Sequence, residues 1–98
     1  MDESTYHVGL LLVDLFIPGA QSLKEKRTVL KSMKDRLRKQ FNVSVAELDC
    51  RDKWQVATCG IAMIGNDQRY INQRLDHIVS FVEGCHGLEM SDYEITFL

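Results

Sequence analysis

The chain is poor in the residues that punctuate or cross-link a fold: one proline, three cysteines and one tryptophan in 98 residues. The lone proline forms Pro18-Gly19, a pair that turns a chain but sits inside neither a helix nor a central strand. Cys50, Cys59 and Cys85 are an odd set without a CxxC pair, which argues against both a disulfide framework and a zinc cage. Three reduced thiols fit a reducing compartment, with Cys59 a small core residue in an apolar strand and Cys50, in a charged turn, the more exposed thiol. No apolar run approaches the roughly 20 residues that cross a bilayer. Met1 to Thr5 is short and acidic, unlike the basic and apolar start of a secretion signal. The expectation is a cytoplasmic protein that does not enter a membrane. No nucleophile pairs with a base, no carboxylates pair at catalytic spacing and no metal spacing occurs, so neither catalysis nor a cofactor is expected. His7 reads as a strand-end residue and His77 as an exposed helix residue. Cys85-His86-Gly87 is too short for a metal site and reads as a loop.

What is present is the composition of one globular domain over residues 1–98, its first five residues expected to fray. Hydrophobic residues make up 45% and charged residues 27%, and the net charge of −2 hides a division. Between Lys24 and Lys39, eight basic residues against two acidic ones give +6, while four against twelve give −8 elsewhere. Such a polarised chain can meet a polyanion on one side, while its acidic remainder disfavours indiscriminate coating of nucleic acid.

The basic segment belongs to a helix predicted from Ser22 to Phe41. Ser22 and Glu25 form a capping box, the serine accepting from the Glu25 N–H and the glutamate reaching back to the Ser22 N–H. Asn42 is expected to take the left-handed conformation that closes the helix. At 100° per residue, Leu23, Val29, Leu30, Met33, Leu37 and Phe41 share the arc that enters a core. Beside it, Lys24, Arg27, Lys31, Lys34 and Arg38 follow a 3-4-3-4 spacing within about 80°, a basic stripe roughly 21 Å long at about 1.5 Å per residue. Like charges three and four apart repel, so a helix needing only solubility would mix its signs. The other reading of the stripe is a solvated face whose long side chains lie over apolar neighbours.

Around the helix, Tyr6 to Ile17 is apolar at nearly every position, as for a strand in the middle of a sheet. Asp14 within it is expected to end the apolar pairing or to hold a basic side chain. Val43 to Asp49 suits an edge strand, residues 50 to 53 a hairpin loop, and Trp54 to Ile64 a second central strand. Gly60 there marks a bulge or a close approach. Trp54 at its mouth reads as an aromatic closing the edge of the core, or as a surface for stacking a base. Asp67 caps a second helix with Ile71, Leu75, Ile78 and Val82 inward, which Gly84 ends. Tyr93 to Leu98 alternates as the last strand. The order is βαββαβ, the ferredoxin-like α+β pattern of a four-stranded antiparallel sheet with two helices on one face. Because the first and third strands are apolar in both phases, the open face should also be covered, by a homodimer through that face or its edge or by a bound partner.

The stretches AQSLKEKR at 20–27, VLKSMKDRL at 29–37, FNVSVAE at 41–47 and VGLLLVDLFIP at 8–18 together resemble the YlxP-like family, nearly from end to end. The resemblance implies a small bacterial protein with a ferredoxin-like fold in a cytoplasmic setting. Genes of that family often lie among those for transcription elongation, translation initiation and ribosome maturation, which implies an RNA- or ribosome-linked role by association. It brings no catalytic residues with it.

Three functions compete. The first is an RNA- or ribosome-associated binding module with Lys24, Arg27, Lys31, Lys34 and Arg38 on phosphates; it would not act as an RRM, because the central strands lack aromatics. The second is a dimeric regulatory domain that holds a small anion near Ser22 and Lys24, with Lys26 adjacent. The third is an enzyme of acylphosphatase-like architecture. Residues 15–21 lack the Gly-rich cradle and arginine that such an enzyme carries, which argues against it.

Overall fold

In a computed structural model, which describes residues 5–98, the order is β1 (His7–Phe16), α1 (Leu23–Gln40), β2 (Ser44–Asp49), β3 (Val56–Gly65), α2 (Gln68–Glu83) and β4 (Glu89–Phe97). The expected fraying of residues 1 to 5 falls, except for Thr5, outside the described residues. The strands form one antiparallel sheet in the order β2-β3-β1-β4. The two most apolar strands are therefore its centre, and the architecture is ferredoxin-like. Both helices cover the face carried by Leu11, Val13, Leu15, Ala57, Cys59, Ile61 and Met63, all buried. On this side Gly9 lets α2 come close: a Cβ there would meet Ile71 Cγ2 at 2.7 Å and Leu75 Cδ1 at 2.9 Å.

Several local expectations are corrected. Ser22 caps α1 by accepting from Glu25 N at 3.1 Å, but Glu25 Oε2 returns to the Gln21 N–H at 2.7 Å rather than to that of Ser22. The helix ends not through a left-handed Asn42 but through an extended Phe41, whose N–H donates to Leu37 O at 2.8 Å. Asp14 holds no basic side chain; it accepts from Thr58 Oγ1 at 2.9 Å and sits where the register against β4 shifts. Gly60 pairs regularly with Leu12 and Ala46, and the close approach there is the Leu48 side chain lying over it. The last strand begins at Glu89, four residues before the expected start, because Glu89, Ser91 and Asp92 are polar and exposed at the sheet edge and only Met90 among them is half-buried. Asp67 caps α2 as expected, accepting from the N–H groups of Arg69 and Tyr70.

Candidate nucleic-acid interface

The middle of the buried face of α1 is a lysine. Lys26 stands four residues before Leu30 and seven before Met33, in the centre of the apolar arc, and it is fully buried. Its Nζ donates to Cys50 O at 2.8 Å and Val56 O at 3.1 Å, and lies 2.8 Å from Glu47 Oε2. The contact with Glu47 is an ion pair outside hydrogen-bond angles, so that carboxylate oxygen takes no hydrogen bond. A buried ammonium is tolerated because two carbonyls and a carboxylate replace its water. Cys50 supplies one of those carbonyls while in the left-handed region, at φ 62°. The expectation of Lys26 beside a small-anion site at the helix start is thereby overturned. Three neighbouring donors are also engaged, Gln21 N by Glu25, Glu25 N by Ser22 Oγ and Lys26 N by Ser22 O. The signal for the buried lysine was its helical phase, which the spacing of the apolar residues already contains.

Along one flank of α1 the five stripe residues fall as the spacing predicts, with Lys24, Arg27, Lys31 and Arg38 exposed and Lys34 half-buried. The stripe borders the β2 edge of the sheet, since Arg38 Nη2 donates to Val45 O at 3.0 Å. Lys31 pairs with Asp35 at 2.7 Å, and Arg38 lies 3.9 Å from the same carboxylate. The Lys31 hydrogen bond holds Asp35 below its ordinary 3.8. Among the described residues, Lys24, Arg27 and Lys34 have no ion-pair partner. The flank thus carries five cations against one carboxylate.

Burial also orders the thiols. Burial and then the charge of Glu47, its cross-strand neighbour, push Cys59 up to about 11, against smaller opposing effects of Lys34 and Lys26. Burial likewise raises Cys85, with Arg36 opposing. Cys50 is the most exposed of the three. Trp54 does not close the core as one reading had it, for it is 55% exposed in the loop between β2 and β3. On the opposite flank of α1 from the stripe, Pro18, Ala20, Val29 and Gly87 line an apolar recess of about 390 Å³, with Glu25 and His86 at its edge. The far face of the sheet exposes Leu48 and Ile64 beside the half-buried Val8, Leu10 and Leu12. Among the described residues no three His, Cys, Asp or Glu side chains gather as metal ligands, and no helix is long and apolar enough to cross a membrane.

A ferredoxin-like α+β domain with a cationic helix flank is the class that fold and site define. Residues 8–95 match the family described as "Protein of unknown function (DUF503)", and the chain belongs to that family. It is 33% identical over 82 residues to the uncharacterized protein YlxP of Bacillus subtilis (strain 168), covering 84% of this chain and 89% of that one. Among solved structures, the de novo designed protein Foldit4 aligns with a TM-score of 0.55 over 94% of this chain and 96% of its own. At 13% identity that is a likeness of fold alone.

Proposed function

We propose that the protein is a non-catalytic RNA-binding module, acting in the cytoplasm on ribosomal RNA or ribosomal particles through Lys24, Arg27, Lys31, Lys34 and Arg38. The observation that carries this reading is the imbalance on the α1 flank, where five cations face Asp35 and three of them have no ion-pair partner among the described residues. Like charges in a row are unfavourable in the free protein, and phosphates relieve that repulsion. The Lys31–Asp35 pair is exposed and screened by solvent, so a phosphate can displace the carboxylate. A ridge of this kind follows a backbone and does not read sequence.

The test is filter binding of single-stranded RNA over a salt series. At about −0.7 per phosphate contact, the slope of log affinity against log salt is expected between about −2, for the three unpaired cations, and about −3.5, for all five. A slope near zero removes the reading.

A second reading, a homodimer through the open sheet face, is favoured by the exposed Leu48 and Ile64 there. A groove of about 200 Å³ between Leu10, Leu48, Ala46 and Ala62 lies on the same face. Sedimentation equilibrium should then give twice the monomer mass, reduced to the monomer by Ile64→Asp; a monomer in the unaltered protein sinks this reading.

A further inference from the structure

Beside the cationic flank stands a feature that phosphate binding leaves unused, the loop of residues 50–55. Both of its ends are held by one ammonium, since Lys26 Nζ takes the carbonyls of Cys50 and Val56. Within it, Lys53 N donates to Cys50 O at 3.0 Å. Gln55 is fixed three times: its carbonyl accepts from Ile17 N at 2.7 Å, and its Nε2 donates to Pro18 O at 3.2 Å and Ala20 O at 3.1 Å. The chain's only tryptophan is thus mounted between anchored residues yet left 55% exposed. Exposed Arg51 and Lys53 flank it, with Asp52 as the opposing charge. A shallow concavity of about 600 Å³ lies against Lys53, Trp54 and Val56. Arg38 meets Val45 near the start of β2 and Lys26 meets Cys50 just past its end, so the first turns of α1, which carry Lys24 and Arg27, lie at the loop's end of the sheet.

An indole that packs into no core leaves apolar surface in water, and a stacked base removes that surface without asking for a particular sequence. A platform held in place beforehand also loses little freedom on binding. A duplex keeps its bases stacked and offers none to the indole. We infer that Trp54 stacks an unpaired base of a single-stranded nucleic acid whose phosphates lie along Lys24, Arg27 and the rest of the stripe. This inference rests on the phosphate-binding reading and narrows its ligand to single strands.

The lone tryptophan reports on itself. The full chain is titrated with single-stranded oligouridylate and, separately, with an abasic ribose-phosphate strand of equal length and charge. Emission and the anisotropy of a labelled strand are followed together. Oligouridylate should quench the emission saturably, while the abasic strand binds without quenching. Trp54→Ala should weaken oligouridylate about tenfold with an unchanged salt slope, and Trp54→Phe should retain most of the affinity. Binding of oligouridylate with unaltered emission and no loss in Trp54→Ala would overturn stacking while the phosphate reading stands. Equal quenching by the abasic strand would also overturn it. Absence of binding by either strand at low salt would overturn both.

Discussion

Lys26 is where one side chain bears most on the fold. Its ammonium ties α1 to the ends of the loop after β2 and faces Glu47, whose side chain is only 13% exposed. Removing one partner of such a pair leaves a charge in a poorly solvated site. Lys26→Met is therefore expected to lower the unfolding free energy by about 3–5 kcal/mol in urea titration. Adding Glu47→Leu should recover much of that, because both charges then leave together. A loss below about 1 kcal/mol for the single change would mean that Glu47 is adequately solvated alone. The thiols give a prediction with a defined sign. Cys59 is raised from an ordinary 9.0 to about 11, so the folded state keeps a proton that the unfolded chain releases. Stability from this group is full below about 9 and is lost as pH rises through about 11. Cys85 is shifted in the same direction. Chemical unfolding in that window should show falling stability, and Cys59→Ala should flatten the fall; a curve unchanged by the substitution would refute the assignment to Cys59.

Among the elements, α1 is the most legible, because the Ser22 cap and the helical period of its apolar residues agree, although the details of both caps differ. Ser22 and the arc of Leu30, Met33 and Leu37 are where the spacing puts them. For Lys26, residue type points to solvent while helical phase points to the core, and phase prevails. Its acceptors, Cys50 O and Val56 O, lie 24 and 30 residues away, so no local pattern supplies them. The start of β4 is hard to read for a related reason: Glu89, Ser91 and Asp92 are exposed at an edge and Met90 alone marks the inner face there. Trp54 has the residue type of a core aromatic, yet it stands beside Gln55, which is anchored on the loop before α1, and its indole lies on the surface. Two glycines separate backbone need from packing need. Gly9→Ala should destabilise by about 1–3 kcal/mol, since the methyl meets Ile71 and Leu75 beneath α2. Gly60→Ala should be close to neutral, since only the end of the exposed Leu48 must swing aside. Thermal and urea unfolding of the two variants checks the contrast, and equal losses would contradict it.

For the whole molecule, the governing fact is the separation of charge, +6 over residues 24–39 against −8 elsewhere. Five of the eight basic residues of that segment lie on one flank of α1, beside the β2 edge, while Lys26 is buried and Arg36 stacks over Phe81. An acidic remainder opposes indiscriminate collection on polyanions, so the proposed binding requires a local match to the ridge. The topology and the stripe were both readable from sequence. The pairing of Lys31 and Arg38 with Asp35 belongs to side-chain geometry, and it divides the five cations into two with a competing carboxylate nearby and three without.

The measurement that bears most directly on this account is co-sedimentation with purified ribosomal particles at low and high salt. It compares the unaltered chain with a variant carrying Gln at positions 24, 27, 31, 34 and 38, both first verified as folded. Binding by the unaltered chain that falls with salt and is lost in the variant is the predicted result. Equal binding by the two proteins, or none by either at low salt, would contradict it and reduce the stripe to solvated surface.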